Sequence, residues 1–313
     1  MNGFGAEIDV PVVVVRAVHF AATATTAGAL MFRAVVADPA LRGEDKAGRV
    51  VDNRIRVLAW IGLAIAVLSG GAWLLLQTAA MSGQSCGEAV VSGAVLTVLD
   101  ETQFGLVSEV RLALAVLLAI CLAYDRPPLP RWLALGAALC LVAAIAWTGH
   151  AASTPHNLGY LHLAADALHL YAAAAWTGGL MSLVLLLSAL SGGARPSTEL
   201  DAVRRFSALG MVSVATLVIS GLINAWILVG SFRGLFLTDY GRVLLAKLAI
   251  FAAMIAFAAV NRFWLTPQLS SLASGVAVRS LRRNAMVEIA LALLVFAAVG
   301  VLGTLHPATH LVK

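Results

Sequence analysis

Charge is what this chain of 313 residues has least of. Asp, Glu, Lys and Arg together make up 12% of it, while 61% is hydrophobic and the mean hydropathy is +0.92; a soluble domain of ordinary composition carries about 25% charged residues. That deficit excludes a soluble globular fold and predicts an integral membrane protein. Cysteine is scarce as well. Cys86, Cys121 and Cys140 form no CxxC pair, so neither a disulfide framework nor a thiolate metal site is expected. The seven methionines do not cluster, so no continuous path of soft thioether ligands is visible, and Met31 and Met181 read as core packing. No glycine-rich phosphate loop is present, which argues against direct coupling to ATP. The opening MNGFGAEID lacks the basic start of a secretory signal, so the first apolar run is expected to be a retained helix. The net charge of +5 does not imply nucleic acid, because the basic residues sit between apolar runs, where they orient helices.

Those runs are what the chain has in plenty. Eight of them, near 11–36, 57–80, 105–124, 132–151, 160–190, 206–230, 241–264 and 285–305, are each long enough to cross a bilayer. The expected fold is all-α, a polytopic membrane protein of eight transmembrane helices. Arg42, Lys46, Arg49, Arg54 and Arg56 lie between the first two runs. Basic residues return in every second loop, at Arg126 and Arg131, at Arg195, Arg204 and Arg205, and at Arg262, Arg279, Arg282 and Arg283. By the positive-inside rule these loops are cytoplasmic and both termini are periplasmic. The stretch at about 86–103 is too short and too polar to span, and is read as an outer interfacial helix.

That orientation places all seven histidines in the outer half of the membrane or beyond it, which favours an outward-facing site. The fifth run, LHLAADALHLYAAAAWTGGLM at 161–181, puts His162, Asp166 and His169 on one helical face. Polar groups in lipid are costly and by default mark a pathway or a site. The competing reading is that they only lock neighbouring helices by hydrogen bonds. Asn224, Lys247 and Glu288 are further intramembrane polar groups, Glu288 being placed to meet Arg282 or Arg283. Trp176, Gly178 and Gly179 read as close helix packing.

The chain also repeats itself. His19-x8-Gly28-x-Leu30-Met31 recurs as His169-x8-Gly178-x-Leu180-Met181. Ser69-Gly70 followed by Trp73 is matched, with a two-residue slip, by Ser220-Gly221 followed by Trp226. Thr102 to Gly105 with Arg111 recurs as Thr238 to Gly241 with Lys247, and Thr148-Gly149-His150 as Thr304-Leu305-His306. These matches predict two parallel four-helix repeats, 1–155 and 156–313, about an axis along the membrane normal. Arg16 then corresponds to Asp166, and the two are candidates for an ion pair across the repeat interface.

Several imidazoles and one carboxylate suit a transition metal, with the carboxylate as ligand or as a group orienting a ring. His162 and His169 are two turns apart and cannot chelate one ion directly. The candidate metal residues are therefore His169 and Asp166, with His19, His150 and His306 from other helices, and with His162, His156 and His310 as an outer relay. The alternative is haem held by paired histidines, His19 with His150 and His169 with His306, with Arg16, Arg111 and Lys247 meeting the propionates; that reading makes the chain a redox protein.

The second half resembles the CopD family of bacterial copper-resistance membrane proteins, in HLAADALHLYAAAAWTGGL, RFSALG, ISGLINAW with LVGS, TDYGRVLLAKL and NRFWLTP. The first half resembles it more loosely, in Gly149-His150 and in the segment from Phe104-Gly105 to Arg111. The resemblance implies a non-enzymatic inner-membrane protein of eight helices, surrounded by lipid. It would bind copper and pass it from periplasm toward cytoplasm, working with a separate periplasmic copper-binding protein of the CopC type.

Overall fold

A computed structural model of the chain describes residues 9–124, 128–149, 151, 154–190, 196–269 and 274–310. Among them there is no strand, and eight helices are long and apolar enough to cross a membrane. We label these α1 (Val10–Phe32), α2 (Asp45–Ser82), α3 (Gln103–Ala123), α4 (Pro128–Ala144), α5 (His156–Leu190), α6 (Pro196–Val229), α7 (Asp239–Val260) and α8 (Ser274–Leu302). Helices are the outcome that an apolar run in lipid permits, because each satisfies its own backbone hydrogen bonds. Because eight is even, the first and last spans bring residues 9 and 310 to one end of the bundle, called here the terminal end. The opposite end carries the basic connections.

Short polar signals set the helix starts. The Asp9 carboxylate accepts from the Val12 N–H at 3.2 Å. Thr102 caps α3 by accepting from the Gly105 N–H at 2.9 Å, and Thr238 caps α7 by accepting from the Gly241 N–H at 3.0 Å. Each of these two helices follows a short one, Ala94–Glu101 and Phe232–Leu237. The first is itself preceded by Cys86–Val91, whose start is a capping box between Ser85 and Glu88. The expected outer segment at 86–103 is thus two short helices. Two hydrogen bonds from Ser85 hold the Glu88 carboxyl below its usual range.

Two spans continue past their α-helical part through a π turn, Arg33–Ala37 after α1 and Asn261–Leu265 after α7. Both turns precede a proline, Pro39 and Pro267. A proline ring collides with the carbonyl four residues back in an α-helix, and widening the turn relieves that collision.

Helices α1 and α5 are central, and they cross where glycine meets glycine. A Cβ on Gly178 would stand 2.8 Å from the Gly28 Cα, and a Cβ on Gly28 would overlap the Ala174 carbonyl. Small residues permit this approach, as between membrane helices in general. Gly179 makes room for Phe206, and Trp176 is buried with its ring edge-on to Phe251 at 5.8 Å, so these three residues do serve packing. Around this axis α2, α4 and α8 pack on α1, while α6, α8 and α4 pack on α5.

Candidate functional site

Each central helix holds one histidine that is anchored by the next helix. On α1 the His19 Nδ1 lies 3.1 Å from the Ser69 hydroxyl and 2.9 Å from the Ala66 carbonyl on α2. On α5 the His169 Nδ1 lies 3.0 Å from the Ser220 hydroxyl on α6, and the ring also hydrogen-bonds the Leu217 backbone. Both serines donate their own proton to the carbonyl four residues back, Ser69 to Ile65 at 2.6 Å and Ser220 to Thr216 at 2.5 Å. Each serine oxygen therefore accepts from its histidine, so Nδ1 carries the proton and Nε2 presents a lone pair. The glycine after each serine, Gly70 or Gly221, leaves space against the imidazole Cε1. Thr23 approaches the His19 Nε2 at 3.5 Å, but its proton is given to the His19 carbonyl at 2.8 Å.

The surroundings of the two rings differ. Near His169, the Asn224 amide donates to Asp166 at 3.3 Å, and Lys247 and Tyr240 lie within electrostatic reach of that carboxylate. Near His19, the four positions at the same offsets hold Arg16, Trp73, Phe104 and Arg111, and aromatic contacts replace the polar ones. The Trp73 ring lies 5.8 Å from the His19 ring and 5.3 Å from Phe104, and the Arg16 and Arg111 guanidinium carbons are 4.9 and 5.5 Å from its centroid. Counted from the anchoring serine, the counterpart of Trp73 is Asn224. Trp226, the match expected from sequence, is largely exposed.

Other expectations fare differently. The ion pair expected between Arg16 and Asp166 is not formed: Arg16 turns to Trp73 and to the end of α8 at Gly303, and Asp166 to Asn224. His162 is 1% exposed and lies 2.7 Å from the Thr154 hydroxyl, whereas His306 is exposed near the end of α8. His150 lies outside the described residues, and so do the side chains of His156 and His310. Among the described residues, no three His, Cys, Asp or Glu side chains gather closely enough to hold a metal ion. The cysteines Cys86, Cys121 and Cys140 are free.

Toward the opposite end a second polar cluster appears. Glu288 on α8 does not meet Arg282 or Arg283. It is 1% exposed, accepts from the Asn261 amide at 2.7 Å and bonds the Trp176 side chain. Asn284 in turn donates to Asn261 at 2.9 Å. Asn261 opens the π turn after α7, and the cluster borders a largely apolar cavity of about 340 Å³ between α5, α6, α7 and α8.

Comparison with known proteins finds copper-resistance and inner-membrane relatives. Residues 200–302 match the family model described as copper resistance protein D, and residues 7–160 match that of a copper resistance protein D-like N-terminal domain. Copper resistance protein D of Pseudomonas syringae pv. tomato is 33% identical over 282 residues, covering 85% of this chain and 88% of that one. The copper transport protein CutJ of Bacillus subtilis (strain 168) is 32% identical over 232 residues, 69% of this chain but 40% of that longer one. The inner membrane protein YebZ of Escherichia coli (strain K12) is 27% identical over 259 residues, covering 82% and 85%. No solved structure matches.

Proposed function

The chain belongs to the copper resistance protein D family, and from that premise we propose that it is a multi-pass inner-membrane protein that takes up copper at its terminal end and passes it toward the cytoplasm. The observation that carries this reading is the His169 imidazole, fixed through Nδ1 by Ser220 and presenting Nε2. An imidazole oriented in this way through its second nitrogen is a ready metal ligand. Asp166 lies one turn earlier on the same face of α5 and supplies negative charge. With His19, His306 and His162 also toward the terminal end, and His150 by its place in the chain, copper is the cargo and these side chains are its stations. Because the described residues bring no three of them together, further ligands come from a delivering partner, a separate periplasmic copper-binding protein of the CopC type. The basic connections at the opposite end support periplasmic termini. The recurrent histidine–serine anchors support two parallel four-helix units, 1–155 and 156–313.

The test is metal analysis of the purified protein. Wild type should retain copper, and His169→Ala and Asp166→Ala should each lose it; retention by both variants would overturn the site. In proteoliposomes, copper uptake equal to wild type in His169→Ala would overturn the route.

A second reading is favoured by one observation: each anchored histidine has a cation within electrostatic reach, Arg111 for His19 and Lys247 for His169. Cations there suit an anionic cofactor better than a bare metal ion. Haem, ligated by His19 and His169 with His150 and His306 as partners, would make the chain an electron-transfer protein. The fit rests on the unprotonated Nε2 of each ring and on the flanking cations. A Soret band lost in His169→Ala decides for it, and copper bound without such a band decides against it.

A further inference from the structure

The neighbourhood of His19 contains charge without a counter-charge. Arg16 and Arg111 are 8% and 7% exposed, and neither forms an ion pair with any described residue. The Arg16 Nε, the Arg111 Nη2 and the Trp73 indole Nε1 are all buried, and none has a hydrogen-bond partner among the described residues. Three orphaned donors thus meet around one indole ring, which is itself 1% exposed. A buried donor without an acceptor costs about 1–3 kcal/mol, and more when charged, and unpaired cations within a membrane are dearer still. The corresponding place near His169 meets the same need internally. There Asp166 stands where Arg16 stands, three residues before the histidine, and faces Asn224 and Lys247.

The missing partner in the first half must therefore be negative, rich in acceptor atoms and supplied from outside the cluster. We propose that Arg16, Trp73 and Arg111 form a binding site for a small oxyanion, between α1, α2, α3 and the end of α8. Guanidinium groups recognise carboxylate and phosphate oxygens in the same forked geometry, and the indole N–H adds a third donor. Arg16 sits six residues into α1, about 9 Å along the helix at 1.5 Å per residue, a depth reachable by a free ion from the terminal end or by a lipid phosphate. The site adjoins His19 through the Trp73 ring but does not include His169 or Asp166, on which the copper test turns, so it can fail or stand independently of that test.

The test uses the full chain, free of copper and haem, in a neutral detergent. Tryptophan fluorescence and thermal stability are followed while acetate or inorganic phosphate replaces chloride at constant ionic strength. A parallel arm compares nanodiscs of phosphatidylcholine with and without phosphatidylglycerol. We expect a saturable response to oxyanion in wild type, weakened at least tenfold in Arg16→Gln and Arg111→Gln and several-fold in Trp73→Phe, which keeps the ring and removes the N–H. Arg16→Asp, which installs the carboxylate of the second half, should abolish the response while folding at least as stably as Arg16→Gln. Arg242→Gln, an exposed arginine at the start of α7, should respond as wild type does. Response to phosphatidylglycerol alone would identify the oxyanion as a lipid headgroup. Absence of any response in wild type, or equal responses in all variants, would overturn the proposal.

Discussion

The same scaffold carries two unlike polar clusters. Around His169, the chain supplies an acid, an amide, a phenol and an amine: Asp166, Asn224, Tyr240 and Lys247. Around His19 the same offsets carry Arg16, Trp73, Phe104 and Arg111. The anchoring of the two rings is nearly identical, with Nδ1 at 3.1 and 3.0 Å from a serine hydroxyl. What differs is whether the cluster is electrically complete. This difference teaches that the backbone and the serine clamp set where an imidazole points, while three or four neighbouring side chains decide what it can face.

The comparison can be broken most severely by removing the acid of the complete cluster. Asp166→Ala should leave Lys247 uncompensated and destabilise the protein by about 3 kcal/mol, the scale for breaking a buried charge pair. Asp166→Ala combined with Lys247→Met should recover most of that loss in a thermal or denaturant unfolding assay. Next in size is the crossing that joins the two halves. Gly28→Leu should cost about 3 kcal/mol through overpacking against Ala174, and should lower the yield of folded protein, whereas Gly71→Leu, where a side chain would enter open space, should be tolerated.

The serine clamps offer a finer contrast. Ser220→Ala and Ser69→Ala should each cost about 1 kcal/mol of stability. Ser220→Ala should also lower copper affinity by about tenfold, the scale for losing a group that orients a metal-binding histidine, and by more than Ser69→Ala does, because no carboxylate stands beside His19 as Asp166 does beside His169; equilibrium dialysis against a copper chelator reads this directly. The smallest effect concerns a feature of the first half alone, the capping box at Ser85. Its Glu88 carboxyl titrates below the usual range because Ser85 hydrogen-bonds the charged form. The cap should therefore persist above the ordinary glutamate value of about 4.3 and be lost as pH falls through the lowered value. Hydrogen exchange over Cys86–Val91 should quicken there in wild type, while in Glu88→Gln it should show no such step.

Much of this was legible in the chain. The eight spans follow from apolar length, and His19 and His169 stood out because each precedes an identical pattern ending in Gly-x-Leu-Met. Partners across helices were less legible. Glu288 has Arg282 and Arg283 nearby in sequence, but its partner Asn261 is 27 residues away and comes into reach through a π turn. Trp226 invited a match to Trp73 by identity of side chain. The helical offset from the serine shows instead that Asn224 occupies that place, and an offset of two residues turns a side chain by about 200° around a helix. The pairing of Arg16 with Asp166 rested on matching places in the repeat and complementary charge; although α1 and α5 pack together, Arg16 lies over Trp73 on α2 and Asp166 accepts from Asn224 on α6. Ser69 and Ser220 were visible as repeated letters, though their role as ring clamps needed the distance between α1 and α2 and between α5 and α6.

The contact of Gly28 with Gly178 has one more implication. Where two helices touch backbone to backbone at the centre of the molecule, no permeation channel can run along the line between the halves. An ion crossing this molecule would have to thread one half or the other, past the Asp166 carboxylate on one side or the Arg16 and Arg111 guanidiniums on the other, so that one side would attract a cation and the other would repel it.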